Sequence, residues 1–161
     1  MTHRFLVLAL LFFIGAETAQ AAGESPAPAR SEHGFTALVF SKTAGFRHDS
    51  IDAGIAALSA LGAAHGFSVQ ATEDASIFTD AGLAPFEVVI FLSTTGDVLD
   101  AAQQAALERF VASGGGWVGV HAAADTEYSW SWYGGLVGAW FQSHPATQSA
   151  TVRILDREHP S

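Results

Sequence analysis

A histidine that follows an apolar run and precedes small residues is the part of the sequence best suited to chemistry. Residues 116–125 read GWVGVHAAAD, with His121 at the end of the run and Asp125 four residues later. A sharp strand-to-helix turn needs small neighbours and presents one side chain at the tip of a sheet, as a nucleophile elbow does. We predict His121 as a general base or metal ligand, with Asp125 and Glu127 close enough to orient or charge its ring. Glu127 is also a candidate for binding substrate. The structural alternative is a buried histidine at the end of the sheet.

A second polar segment, residues 41–50, reads SKTAGFRHDS and stands just before a helical pattern. Asp49 or Ser50 suits a helix N-cap, and a capped polar loop is the alternative for this segment. Because a helix N-terminus favours anions, Arg47 and His48 there predict binding of a carboxylate, a phosphate or sugar hydroxyls, with Asp49 beside them. The segment lacks the phosphate-loop pattern G-x-x-x-x-G-K-[ST].

A third segment, residues 93–97, reads STTGD after a continuous apolar run. Thr94 could line the polar floor of a pocket. Tight turns use the same small hydroxyl residues and glycine, so the turn is the favoured interpretation unless the neighbouring loops are functional.

An aromatic cluster follows the histidine segment. Aromatic faces stack on the C–H faces of sugars, so Trp132 and Tyr133 are predicted to bind substrate. Aromatic residues also build cores and subunit interfaces, which leaves a structural role or a homo-oligomer open. The cluster comprises Tyr128, Trp130, Trp132, Tyr133, Trp140 and Phe141.

A further histidine, His144, lies just beyond the cluster. His144 could bind substrate, or it could join His48, His121 and Asp125 around a divalent metal such as zinc, which binds histidine and carboxylate. No H-x-x-x-H pattern fixes the geometry of such a site, so the sequence predicts no cofactor firmly.

The elements that position these residues alternate between strand and helix. Apolar runs predict strands at 35–40, 67–71, 88–92, 117–120 and 151–155. Helical spacing from Ile51 to Leu61, and an N-cap at Asp100 with Gln103 three residues later, predict two helices. This alternation indicates an α/β domain with a mostly parallel sheet, in which ligands bind beyond the carboxyl ends of the strands.

Composition excludes several classes of protein. The chain has 161 residues, 49% of them hydrophobic, which suits one folded domain rather than a disordered chain. Acidic residues outnumber basic ones 16 to 7, so the chain lacks the basic face that a nucleic-acid partner requires. It contains no cysteine, which excludes disulfides and a thiolate nucleophile in this sequence.

The N-terminal region has the pattern of a secretory signal. Residues 1–21 combine Arg4, an apolar run from Phe5 to Ile14, and the small-x-small site Ala19-Gln20-Ala21. The run is short for a bilayer of ~30 Å, so we predict a cleaved signal and no stable membrane insertion afterwards, with a retained anchor as the alternative. Residues 22–33 predict a flexible linker and residues 34–161 the domain. The predicted location is periplasmic or secreted.

Five ordered motifs resemble the ThuA-like (trehalose-utilisation-like) proteins. This resemblance implies a flavodoxin-like three-layer α/β sandwich of the class I glutamine amidotransferase-like superfamily. Domains of that family continue beyond the His-Pro at 159–160, so the resemblance predicts a sandwich that is incomplete at its C-terminus. The motifs are VFSKTAGFRHDSI (39–51), TEDASIFTD (72–80), VVIFLSTTGD (88–97), GGGWVGVHAAADTEY (114–128) and WYGGLVGAWFQSHP (132–145).

The resemblance also carries an expectation about function. Amidotransferases of the superfamily have G-x-C-x-G at the elbow, where this chain has Gly119-Val120-His121-Ala122-Ala123, so glutaminase activity is not expected. What is implied is an exported protein of carbohydrate metabolism with a small sugar as its ligand: trehalose, another glycoside or a keto-sugar. A hydrolase, lyase or isomerase and a non-catalytic sugar-binding or interaction module both remain open. The motif positions in the pocket are His48, Asp49, His121, Asp125, Tyr133 and His144.

Overall fold

Four parallel strands form the central sheet in the order β2-β1-β3-β4. The strands are β1 (Thr36–Phe40), β2 (Ser68–Thr72), β3 (Val88–Leu92) and β4 (Gly116–Val120). Phe40 pairs with Phe91, and Leu92 pairs with Val120, so the carboxyl ends of the strands meet at one edge. This agrees with the predicted parallel sheet.

The computed structural model describes residues 34–146 and 148–158. The predicted signal segment (1–21), the predicted linker (22–33) and the His-Pro at 159–160 lie outside the described residues.

Helices pack on both faces of the sheet and make a three-layer sandwich. Alternate residues of a strand point to opposite faces. Leu38, Phe40 and Phe91 therefore contribute to one core, and Val39 and Leu92 to another. The second core is covered by α1 (Ile51–His65), and the first by α2 (Asp80–Leu83), α3 (Ala101–Ala112) and α4 (Ser131–Val137). The fold is the α/β, flavodoxin-like class expected from the sequence.

The N-terminus of α3 has the capping box that the sequence predicts. Asp100 Oδ1 accepts hydrogen bonds from the backbone N–H groups of Ala102 and Gln103, both at 2.9 Å. Gln103 Oε1 in turn accepts one from the Asp100 N–H at 2.9 Å. At α1, by contrast, Ser50 occupies the N-cap without a side-chain hydrogen bond, and Asp49 is not the cap.

Replacing Asp100 by Ala is expected to lower the free energy of unfolding by about 1 kcal/mol, because two N–H groups at the helix start lose their acceptor. Urea unfolding of the full chain measures this change. Ser50→Ala is the matched control and should change the free energy by a few tenths of a kcal/mol at most, since Ser50 makes no capping bond.

The prediction of a strand at 151–155 is wrong. Residues 148–158 contain no strand, and the side chains of Val152 and Leu155 are 88% and 83% exposed. A strand needs a neighbour for its backbone hydrogen bonds, and no described strand pairs with this segment. Two short helices, α2 and α4, were not predicted because their glycines weaken the helical pattern.

No helix among the described residues is long and apolar enough to cross a membrane.

Candidate functional site

Three loops that follow β1, β3 and β4 lie side by side at the carboxyl edge of the sheet. Thr43 bridges to Thr95, and Gly96 bridges to Thr126. The Ala44 N–H donates to the Thr95 carbonyl at 2.7 Å, and the Gly96 N–H donates to the Asp125 carbonyl at 2.8 Å. The backbone therefore links the three segments of polar residues into one surface.

The middle loop, residues 93–97, holds the other two loops in place through hydrogen bonds of its threonines. Thr95 is buried, and its Oγ1 donates to the Phe46 carbonyl at 2.8 Å and accepts from the Gly45 N–H at 3.2 Å. Thr94 is also buried, and its hydroxyl bonds to Thr126 Oγ1 at 2.9 Å. Both hydroxyls therefore bond within the protein, and Thr94 does not belong to the lining of the cleft.

His121 occupies the tip of a sharp turn. Its φ is 52°, in the left-handed region, and it begins a 3₁₀ helix over His121–Asp125 directly after β4. A Cβ at Gly119 would lie 2.5 Å from the Trp117 ring and 3.2 Å from the Ala123 Cβ, so the turn requires a glycine there. Left-handed backbone at a non-glycine residue is strained and is concentrated at functional sites. The predicted elbow geometry is present.

A second imidazole packs against the first. The ring centroids of His48 and His121 are 4.6 Å apart and the rings are nearly perpendicular, at 87°. His48 Nδ1 is buried and has no hydrogen-bond partner among the described residues. Phe46 packs edge-on against His48 with centroids 4.9 Å apart. This unpaired ring nitrogen beside the elbow is an exception to the general pairing of buried polar atoms.

These side chains line a cleft of about 480 Å³, inside the range of roughly 300–1,000 Å³ that small-molecule sites occupy. Four of the residues predicted from the sequence are brought together here: His48, His121, Asp125 and His144. The other lining residues are apolar: Phe46, Ala122, Ala124, Ala139, Trp140 and Phe141.

Tyr128 fixes the position of one wall of the cleft through hydrogen bonds and ring stacking. Tyr128 Oη lies 2.5 Å from Asp125 Oδ1 and 2.8 Å from the Phe141 carbonyl oxygen, so its one hydrogen is shared between two acceptors. The Phe141 N–H donates to the Ala124 carbonyl at 2.8 Å. The Tyr128 ring also stacks on Trp140, with centroids 6.1 Å apart. Tyr128 thus holds both the Asp125 carboxylate and the segment that carries Trp140 and Phe141.

Both tyrosines of the chain should resist ionisation while it is folded. Burial and the neighbouring Asp125 carboxylate raise the pKa of Tyr128 to about 12, and burial and then Glu127 raise the pKa of Tyr133 further. Both pKa values in the folded chain exceed the ~10 of an unfolded tyrosine. The protonated tyrosines therefore contribute fully to the stability of the folded chain below pH 10, and this contribution is lost as the pH rises through the pKa values of the folded state. We expect the tyrosinate absorbance at 295 nm to appear above pH 10 and to accompany loss of the folded circular-dichroism signal. Ionisation of either tyrosine near pH 10 in the folded chain would contradict this.

Five other predicted site residues lie elsewhere. Arg47 pairs with Glu73 at 2.8 Å, and neither it nor Asp49 lines the cleft. Tyr133 is fully buried in the core, where its hydroxyl donates to the Ala123 carbonyl at 2.7 Å. Trp132 packs against the same core and stacks on Trp130, and neither of these two aromatic residues belongs to the lining of the cleft.

The fifth of these predicted site residues is Glu127, whose carboxylate holds a neighbouring loop in place. Its Oε1 accepts hydrogen bonds from the N–H groups of Val98 and Leu99, each at 2.8 Å, and its Oε2 accepts from Gln104 Nε2 at 2.8 Å. The side chain is fully buried. The Glu127 carboxylate therefore fixes the loop after β3, and Glu127 does not belong to the lining of the cleft.

The three histidines named as possible metal ligands are not grouped as a ligand set among the described residues. Within residues 34–146 and 148–158, no three histidine or acidic side chains are placed so that they could hold a metal ion. His48, His121 and His144 line one cleft without forming a ligand set. Sequence reasoning missed Phe46 and Ala139 as lining residues, and an apolar Phe46 inside a polar loop was the available signal.

Comparisons with known proteins agree with this architecture. A sequence model of the family described as "ThuA: Trehalose utilisation" matches residues 36–161. A solved structure, a ThuA-like protein from Bacteroides uniformis ATCC 8492, is similar with 26% sequence identity and a TM-score of 0.55. The similarity covers 71% of this chain and 48% of that one, so this chain spans about half of the solved protein. No curated protein matches the chain. On the family match over residues 36–161, the chain belongs to the ThuA, or trehalose-utilisation, family.

Proposed function

We propose that the chain is an exported protein of carbohydrate metabolism that transforms a sugar in the cleft at the carboxyl edge of its sheet, by proton transfer at His121. Membership of the trehalose-utilisation family supports a carbohydrate-related role. The observation that carries the catalytic part is the position of His121 at the turn directly after β4, with its ring against His48 and with Asp125 on the same cleft.

The roles follow from the chemistry of each group. His121 is the general base or acid, because imidazole exchanges protons near neutral pH. The His48 imidazole, which lines the cleft, binds a sugar hydroxyl. The Asp125 carboxylate, held through Oδ1 by Tyr128, has Oδ2 free to accept a second hydroxyl. Trp140, Phe141 and Phe46 contact the C–H face of the ring.

The reaction is that of a hydrolase, lyase or isomerase acting on trehalose, another glycoside or a keto-sugar. Each of these reactions needs a positioned acid or base, which His121 supplies. Glutaminase chemistry is not proposed, because His121 stands at the position of the elbow cysteine and the sequence contains no cysteine.

A thermal-shift and turnover screen of the full chain against neutral mono- and disaccharides and their keto forms tests the proposal. At least one sugar should raise the melting midpoint, because a ligand of the folded state stabilises it, and should be converted to product. Ala139→Trp, which fills the cleft, should abolish both effects. Ala64→Trp, at an exposed alanine of α1, is the matched control and should preserve them. A sugar that binds equally well to the Ala139→Trp variant would contradict the site.

The apolar lining favours a second candidate, a sugar-binding module without catalysis. Phe46 is 70% exposed at the mouth of the cleft, as a stacking platform would be. A sugar that shifts the midpoint but yields no product in the same screen would select this candidate.

A further inference from the structure

The cleft carries little charge, and the charge that it carries is negative. Asp125 is the one formally charged side chain among the lining residues when histidine is neutral. The remaining polar groups of the lining are the imidazoles of His48, His121 and His144. None of these supplies the permanent positive charge with which proteins hold carboxylates and phosphates.

The two cationic side chains nearest in sequence are engaged outside the cleft. Arg47 binds Glu73 at 2.8 Å, and about half of each side chain is exposed. Lys42 Nζ donates to the Val98 carbonyl at 3.0 Å. Neither residue belongs to the lining. Neither Arg47 nor Lys42 therefore supplies a positive charge to the lining of the cleft.

The net negative charge of the whole chain also disfavours the binding of anions. With a formal charge of −9, the protein sets up a field that lowers the local concentration of anions. Bringing an anionic group beside the Asp125 carboxylate adds a direct repulsion, which is screened by salt.

From these charges we infer that the cleft selects uncharged sugars and rejects phosphorylated sugars and sugar acids of the same size. This inference rests on the proposed function, because it presumes that the cleft binds a sugar. The inference adds to the proposed function the property that separates ligands from non-ligands. Aromatic faces and imidazoles hold the neutral ring, and an anionic substituent meets Asp125 with no lysine or arginine among the described lining residues.

Calorimetric titration of the full chain at pH 8 and low salt tests the inference with matched ligands: glucose, glucose 6-phosphate and glucuronate, then trehalose and trehalose 6-phosphate. If glucose or trehalose binds, it should bind about tenfold more tightly than its anionic counterpart. The difference should shrink at high salt. Equal or tighter binding of the anion would overturn the inference and leave the proposed function standing, whereas absence of binding by every sugar would overturn both.

A pair of carboxylate-to-amide variants locates the repulsion. Asp125→Asn should narrow the difference between neutral and anionic ligands. Glu87→Gln removes the same charge just before β3, at the opposite edge of the sheet, and should leave the difference unchanged. An equal effect of the two variants would assign the discrimination to the net charge of the chain and overturn the role of the cleft.

Discussion

His121→Ala is expected to lower turnover of the cognate sugar by about 10²–10⁴-fold, the contribution typical of a positioned acid or base. Binding of the sugar should change much less, because His48, Asp125 and the aromatic wall remain. The fold should be retained, since the His121 side chain is exposed and makes no hydrogen bond within the described residues. Steady-state kinetics and a thermal melt of the same preparation measure both effects.

His65→Ala is the matched control for this variant. His65 is an exposed histidine at the C-terminal end of α1, outside the cleft, and its removal should leave turnover unchanged. Turnover that survives His121→Ala would remove the acid–base role. A loss of turnover accompanied by an equal loss of binding would show that His121 binds the sugar rather than moving a proton.

Glu127→Ala is expected to destabilise the chain by about 3 kcal/mol. The variant leaves the buried N–H groups of Val98 and Leu99 without an acceptor, and each unsatisfied buried donor costs roughly 1–3 kcal/mol. The Gln104 side chain loses its partner as well. Chemical unfolding of the wild type and the variant under the same conditions gives the difference in free energy.

Glu73→Ala is the comparison for Glu127, because it also removes a carboxylate that has a partner. The ion pair of Glu73 with Arg47 is about half exposed, so its loss should cost ~0–1 kcal/mol. If the two variants were destabilised equally, burial of the Glu127 carboxylate would not be the source of its effect. We also expect Glu127→Ala to reduce sugar binding, because the variant loses the carboxylate that holds Val98 and Leu99 in the loop after β3, one of the three loops at the cleft edge of the sheet.

Local patterns of apolar and capping residues in the sequence were sufficient to predict most of the fold. The apolar run at 88–92 coincides with β3, and the Asp100 and Gln103 pair predicted the start of α3. The elbow at His121 was also predictable, because small residues on both sides of one polar residue are a local signal. Pattern failed at 151–155, where forming a strand depends on a neighbour that the local sequence does not specify.

The site was predicted less completely because its assignments depend on distant partners. Arg47 and His48 are adjacent in sequence, yet the first turns to Glu73 and the second to the cleft. Asp125 and Glu127 are two residues apart, yet one lines the cleft and the other is buried beneath a loop. Residue type identified the right segments, whereas the direction of each side chain followed from packing.

The turn at residue 121 has a consequence for how this scaffold could change its chemistry over evolution. Its shape is fixed by neighbours, namely the absent Cβ of Gly119 and the buried methyl groups of Ala122 and Ala123, rather than by the imidazole. A different side chain could therefore replace His121 by a single codon change and inherit the same exposed position. Kinship in fold therefore says little about which bond is made or broken, because the backbone that presents the side chain does not determine its chemistry.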